Sequence, residues 1–376
     1  MERYGARPVE TPLRVALDLT PAAVGVSGVV RYAEGLWSGL LARDDVTVAG
    51  FALGRGRLPG WATSAQPPVR HLAVPVRVVH PAWRWVGHPR AERFVGDVDV
   101  VHSMDLVPPP AAAPVVVSVQ DVLPATHPQF FSARARRAHA AKLATLGRAA
   151  VIVTSTAAAA TDIEAVSGIP ANRILIAPLG GLFAGPDDEG AGGIPVPPPY
   201  VLAVGTLTPR KGFDVLARAM DRLGDSVPPL VIAGACGHDN HLVRAAMADL
   251  DRRDRVRWLG SVDDQTLGAL YRHATVVCHP SRAEGFGLVC LEAMQAGAPV
   301  VATDVPAVRE VVGGAAVLVP VDDDEALAAA LGDLLTDADR RAEFSAAGRD
   351  RGRRFGWERT AATVVDAYRR AATSRR

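Results

Sequence analysis

The sequence predicts an α/β protein of two doubly wound domains. Three observations predict it: short apolar strands alternate with helices in each half, a stretch without apolar period separates the halves, and 376 residues are too many for one typical core. In the first half, 13–19 (LRVALDL) reads as a short buried strand. Gly25 and Gly28 follow, then a helix over 29–41. Further strands are expected at 46–53, 98–102 and 115–119, then an Ala- and Arg-rich helix over 133–148 and a strand at 150–155. Residues 184–199, AGPDDEGAGGIPVPPP, combine glycine, proline and acid, the composition of a linker. The alternation then restarts, with strands at 200–204, 230–233, 256–259, 276–279 and 299–303 and helices at 214–223, 241–250 and 288–296. A last helix covers 357–372. Open parallel sheets bind ligands beyond the carboxyl ends of their strands, so two facing sheets put a site in the cleft between them.

Composition narrows the function. Lys+Arg 41 against Asp+Glu 40 leaves a net charge of +1, which argues against a dedicated nucleic-acid binder. Cys236, Cys278 and Cys290 are too few and too scattered for a disulfide framework or a zinc site, so a reducing, cytoplasmic compartment is expected. The first twelve residues lack the apolar core of a signal peptide, and no apolar run approaches the roughly 18–20 residues of a membrane span. Peripheral contact with the inner membrane face, through the first domain, stays open. Its candidates are Arg134, Arg136, Arg137, Lys142 and Arg148, or Trp83 and Trp85 beside Arg84, although a solvated helix face and ordinary packing explain these residues as well.

Residues 281–303, SRAEGFGLVCLEAMQAGAPVVAT, carry the strongest chemical signal. A strand ends at Pro280, and a loop holding Glu284, Gly285, Phe286 and Gly287 leads into a helix at Leu288. Glycines just ahead of a helix let backbone N–H groups approach a ligand, and the helix N-terminus favours an anion such as a diphosphate. Glu284 and Glu292 are then expected at the rim of one pocket, where carboxylates accept hydrogen bonds from sugar and ribose hydroxyls. A second signal, 205–213 (GTLTPRKGF), follows a strand and pairs Arg210 with Lys211, a fork and a point charge suited to clamping a diphosphate. Ala233–Gly237, AGACG, is a weaker glycine turn. Each signal has a plainer reading, as a helix-end charge or a basic surface turn; together they point to a donor site.

Together these residues resemble glycosyltransferase family 4, a retaining family with the GT-B fold: two doubly wound Rossmann-like domains facing a central cleft. The family's paired glutamates match Glu284 and Glu292, its phosphate-binding pair matches Arg210 and Lys211, and its E-A-M-A-x-G-x-P-V-V-A run matches 292–302 with Gln295 for the middle alanine. The resemblance implies an acceptor-binding domain over 1–184, a linker at 185–199, a nucleotide-sugar domain over 200–355 and a terminal helix, 356–376, crossing back to the first domain. It implies that Glu284 contacts the donor sugar, Glu292 the ribose, and the backbone of Gly285, Phe286, Gly287, Leu288 and Val289 the diphosphate and sugar. The reaction implied is hexosyl transfer from a UDP- or GDP-linked donor to a hydroxyl of a sugar, lipid or other acceptor, with no metal and no cofactor.

The first half departs from the family pattern. SGVVRY, 27–32, keeps Gly28 of the glycine turn but has Val30 where a second glycine is frequent. The family's His-Asp-Leu is here Gln120-Asp121-Val122, so glutamine stands where a histidine is credited with contacting the transferred sugar. Gln120 and Asp121 are still expected in the catalytic cleft, with His102 as a nearby strand-end histidine better explained by packing. The glutamine keeps a rival alive, a catalytically silent nucleotide-sugar-binding paralogue. A nicotinamide dehydrogenase would need G-x-G-x-x-G, which GVSGVV at 25–30 lacks. A hydrolase or epimerase acting on the donor alone would be told apart by its products.

Overall fold

The computed structural model describes residues 11–24, 27–181, 195–237 and 241–373. Gly25, residues 1–10 and most of the expected linker (184–194) lie outside these. A first sheet contains β1 (Leu13–Asp18), β2 (Val46–Leu53), β3 (Arg70–Leu72), β4 (Val100–Ser103), β5 (Val115–Ser118), β6 (Val151–Thr154) and β7 (Ile174–Ile176), in the order β3-β2-β1-β4-β5-β6-β7. The second contains β8 (Val201–Val204), β9 (Leu230–Ala233), β10 (Val256–Gly260), β11 (Val276–His279), β12 (Val300–Thr303) and β13 (Val317–Val319), in the order β10-β9-β8-β11-β12-β13. Every strand pairing is parallel. The central strands β4 (VVHS), β5 (VVVS) and β6 (VIVT) start on valine and isoleucine, end on small polar residues, and are buried along their whole length, because helices cover both faces of a parallel sheet.

Both sheets reverse direction of growth once, between β1 and β4 and between β8 and β11. These switch points open a crevice at the carboxyl ends of the strands. The loops after β8 and β11 are therefore neighbours although some seventy residues separate them in the chain. That adjacency brings 205–213 and 280–287 together.

Helix Trp357–Thr373 returns to the first sheet. Trp357 Nε1 donates to the Gly181 carbonyl (3.0 Å), Thr360 Oγ1 to the Pro178 carbonyl (2.6 Å), and the Trp357 backbone and Ala361 lie against helix Ser27–Leu41 where Gly39 leaves room. Inside this contact runs a buried polar chain: Tyr32 Oη to Ser118 Oγ (2.6 Å), Ser118 Oγ to His102 Nε2 (2.7 Å), His102 Nδ1 to Tyr368 Oη (2.7 Å). His102 thus uses both ring nitrogens in packing, and burial lowers its pKa to about 3.

Several boundaries differ from the sequence reading. The helix expected over 133–148 ends at Leu143, because the Thr145 hydroxyl takes the carbonyls of Leu106 and Lys142 and the chain tightens into a 3-10 turn at Leu146–Arg148. The strand expected from residue 98 starts at Val100, since Asp99 is bound at the β1 edge by the Arg14 N–H and guanidinium. Helices Ala157–Ser167 and Asp264–His273 are additions. Each starts at a side-chain cap, Thr156 and Asp263, accepting from the N–H of Ala159 and Thr266.

Candidate active site

The loops after β8 and β11 form one charged unit. Glu284 is buried between the two cations of the other loop: Lys211 Nζ is 2.5 Å from Oε1 and Arg210 Nη1 3.2 Å from Oε2. His279, the last residue of β11, places Nε2 3.3 Å from the same Oε1. Burial alone would raise the Glu284 pKa, but Lys211, His279 and Arg210 together hold it well below the usual carboxylate range. Burial lowers the His279 pKa against the opposing pull of Glu284. The backbone is stitched as well. Arg210 donates to the Ala283 carbonyl (2.5 Å), the Arg282 N–H to the Arg210 carbonyl (2.8 Å), and the Arg282 guanidinium grips Asp214 at 2.7 and 2.8 Å. Gly212, at φ +65°, lies against the Pro280 carbonyl, where any Cβ would collide.

Helix Leu288–Ala296 starts from this loop. Its cap is Gly287 (φ +100°), which offers no side-chain cap to the first-turn N–H groups. First-turn N–H groups left without a side-chain cap, at the positive end of a helix, suit an anion. The Phe286 side chain turns away into the core and meets Phe355 edge-on (6.0 Å), so only the backbone of this stretch is free for a ligand.

Glu292, one turn into that helix, is buried rather than standing at a pocket rim. Tyr271 Oη donates to Oε2 (3.1 Å), while Oε1 has no hydrogen-bond partner and faces Arg31 Nε at 3.4 Å. Arg31 reaches across from helix Ser27–Leu41 and also binds Asp264 Oδ1 at 2.7 Å. Burial raises the Glu292 pKa to about 7 against the pull of Arg31 and Tyr271. A cavity of about 550 Å³ opens beside this contact, lined by Arg31, Glu34, Asp264, Phe355 and Trp357.

The opposite wall is delivered by β5. A Cβ on Gly285 would lie 2.6 Å from the Gln120 carbonyl and 2.7 Å from Asp121 Cβ, so only glycine lets the two halves approach this closely. Thr156 Oγ1 donates to the Gly285 carbonyl (2.9 Å), and Glu310 accepts from the Ala157 N–H (2.8 Å) at the start of a first-half helix. Gln120 and Asp121 line a cavity of about 340 Å³ together with Asp105, His139, Lys142 and Arg210. Gln120 Oε1 and His139 Nε2 are buried without hydrogen-bond partners. Asp121 accepts from the Leu123 N–H (3.1 Å), and burial raises its pKa.

Residues 186–351 match the family described as glycosyl transferases group 1. Among solved structures, sucrose-phosphate synthase from Thermosynechococcus elongatus superposes with a TM-score of 0.76 over 96% of this chain and 100% of its own, at 21% identity. A D-inositol 3-phosphate glycosyltransferase of Xylanimonas cellulosilytica is 37% identical over 241 residues, 60% of this chain and 58% of that protein. The chain spans about half the length of the first relatives it matches. A relative of the same description from Kineococcus radiotolerans is 30% identical over 402 residues, 96% of this chain and 86% of its own. The chain belongs to the group 1 glycosyltransferases.

For a group 1 glycosyltransferase of the family 4 type, the structure sorts the expected site residues into three places. Glu284, Arg210 and Lys211 form one cluster, with Gly285, Gly287, Leu288 and Val289 around the helix start beside it. Gln120 and Asp121 meet that cluster across the cleft. Gly28 is exposed on the first turn of helix Ser27–Leu41, next to Val29, which lines the cavity of Gln120 and Asp121, and Glu292 is buried apart from both, against Arg31 and Tyr271. His127 is a loop residue stacked on Phe130 (6.4 Å). Trp83 is core and Trp85 is exposed. Of the basic run, Lys142 pairs with Asp105 (2.9 Å) and Arg148 holds the carbonyls of Trp83 and Arg84, which takes both out of a free cationic face. Sequence reasoning missed Arg31, Tyr271, Asp264, His279 and His139. His279, a strand-end histidine five residues before Glu284, carried a usable signal; the others meet the site only through the fold.

Proposed function

We propose that the protein is a retaining hexosyltransferase that uses a UDP- or GDP-linked donor and a hydroxyl acceptor and needs no metal. The observation that carries this reading is the Arg210–Lys211–Glu284 cluster at a helix start without a side-chain cap. Two cations already desolvated and held in place meet the charge that develops on a diphosphate leaving group. As the diphosphate takes Arg210 and Lys211, Glu284 is released to accept hydrogen bonds from hydroxyls of the donor sugar. Residues 200–355 hold the donor in this reading, with Glu292 on the ribose, and the diphosphate itself takes the acceptor proton on the retained face. Residues 1–184 present the acceptor at Gln120 and Asp121, and 356–376 tie the halves together. The protein acts in the cytoplasm, in peripheral contact with the membrane.

Gln120 supports a second reading, a silent paralogue that binds nucleotide sugars without turnover. Glutamine donates and accepts, but it carries no charge. A screen of UDP and GDP sugars with inositol phosphates, glycosides and lipid acceptors separates the two. In an active enzyme, Gln120→Ala should lose about tenfold in single-turnover rate, the worth of one hydrogen bond, with Gln120→His close to wild type. Binding without turnover across the screen favours the paralogue. Proton NMR of the first product reads the anomer, and an inverted product overturns retention. Activity abolished by EDTA and restored by manganese overturns the metal-free reading.

A further inference from the structure

Helix Val76–Trp85 is apolar on two faces. Val79 and Trp83, four residues apart, turn inward and are buried. Val78 and Trp85, seven apart on one stripe, turn outward at 59% and 78% exposure, and Val86 just beyond is 68% exposed. Among the described residues these three are the most exposed large apolar side chains. Scattered apolar residues are ordinary on a folded surface; three within nine positions form a patch.

Charge surrounds the patch. Arg77 and Arg84 lie on the helix itself, and Arg90 lines a surface pocket with Trp85 and Val86; Arg70 is tied to the Phe94 carbonyl. Glu92 is occupied in accepting the N–H groups of Ala112 and Ala113. The Arg84 guanidinium lies 5.2 Å over the Trp85 ring. Nearby, helix Ala133–Leu143 has no buried residue and exposes Arg134, Arg136 and Arg137. The two helices meet at a groove of about 220 Å³ lined by Pro81, Arg84, Trp85, Val107, Ala141 and Lys142. Lys142 also lines the cavity of Gln120 and Asp121, so groove and cavity share a wall.

We propose that this face docks on an anionic bilayer, with Val78, Trp85 and Val86 entering the interface, and that the acceptor is a lipid whose headgroup hydroxyl enters the cavity at Gln120 while its chain follows the groove. The proposal deepens the acceptor reading above and rests on it for the identity of the cavity. A bilayer meets both halves of the surface at once: its interface takes an indole and short apolar side chains, and its anionic headgroups take arginines. An acidic protein would answer the arginines and leave the valine–tryptophan stripe in water.

Co-sedimentation with vesicles decides it, using phosphatidylcholine alone and mixed with phosphatidylglycerol. Wild type should pellet with the anionic vesicles, less at high salt. Val78→Ser with Trp85→Ser should weaken partitioning about tenfold or more, and Arg77→Glu with Arg90→Glu should remove the preference for anionic lipid. Circular dichroism checks that the variants are folded, and their affinity for UDP or GDP should match wild type. A wild type that stays in the supernatant overturns the proposal, as does undiminished pelleting of both variants. If wild type binds neither UDP nor GDP, the donor reading falls, while the vesicle result still decides the docking surface.

Discussion

Glu284 and Glu292 belong to one sequence motif, yet their environments push them in opposite directions. Glu284 sits against Lys211, Arg210 and His279 and stays ionised; Glu292 has one cation at 3.4 Å and titrates near 7. The first difference predicts that Lys211→Ala weakens UDP or GDP binding about ten- to hundredfold, the worth of a charge-assisted contact. Calorimetry reads it, and unchanged affinity removes Lys211 from the donor site. The second predicts a pH dependence. Glu292 accepts hydrogen bonds best when ionised, so nucleotide affinity should rise as pH climbs through about 7, and Glu292→Gln should flatten that rise. For stability the sign reverses. Between the ordinary Glu value of 4.5 and about 7 the folded state binds more protons than the unfolded one, so stability falls as pH rises through that window, and Glu292→Gln should abolish this fall. The strand-end loops that carry Glu284, Arg210 and Lys211 were legible from the apolar strands that precede them. Arg31 was not, because it meets Glu292 across more than two hundred residues of sequence.

Strands were legible where an apolar run marked their ends. β2, β9 and β11 start and stop where their apolar runs do, and helix Leu288–Ala296 has the bounds its glycines suggest, since Gly287 and Gly297 cap it at φ +100° and +81°. Helix Ala133–Leu143 buries nothing, so no apolar stripe marked its end, and a tertiary contact of Thr145 decided it. Helix Asp264–His273 escaped notice because its start rests on one Asp cap rather than on a pattern. The loop between β11 and helix Leu288–Ala296 makes the sharpest demand at this scale. Gly285 faces the Gln120 carbonyl at a distance no Cβ tolerates, while its own half of the molecule has no such need. Gly285→Ala should therefore fold normally and bind UDP or GDP within a fewfold of wild type, but close poorly. We expect at least a tenfold loss in turnover from the misplaced reacting groups. Loss of nucleotide binding equal to the loss of rate would place the fault in the donor loop instead.

At the scale of the whole molecule, two kinds of contact join the halves. The strap Trp357–Thr373 is mainly apolar: it buries Tyr368, Val364 and Ala361 against the first sheet and anchors Trp357 at Gly181. The contacts across the cleft include polar ties among the described residues, Arg31 with Asp264 and Glu292, Thr156 with Gly285, and Ala157 with Glu310, beside the close packing of Gly285 on Gln120 and Asp121. Polar contacts of this kind contribute little each where water reaches them, as at Asp264, which is 59% exposed. Among these polar ties Arg31 stands out, because its second partner is a buried carboxylate. Without Arg31, Glu292 loses the cation that holds its pKa down, and the pKa rises from about 7. The carboxyl then takes up a proton instead of holding a charge across the cleft. A donor ribose at Glu292 must displace Arg31 or share the carboxylate with it. Arg31→Ala should accordingly give a larger radius of gyration without ligand in small-angle scattering, reduced again on adding the nucleotide that wild type binds. It should also move the rise of nucleotide affinity to higher pH. Arg31→Lys, which keeps a charge but not the two-partner fork, should fall between. Scattering identical to wild type in the unliganded alanine variant would mean that the strap alone sets closure and that Arg31 serves only to neutralise Glu292.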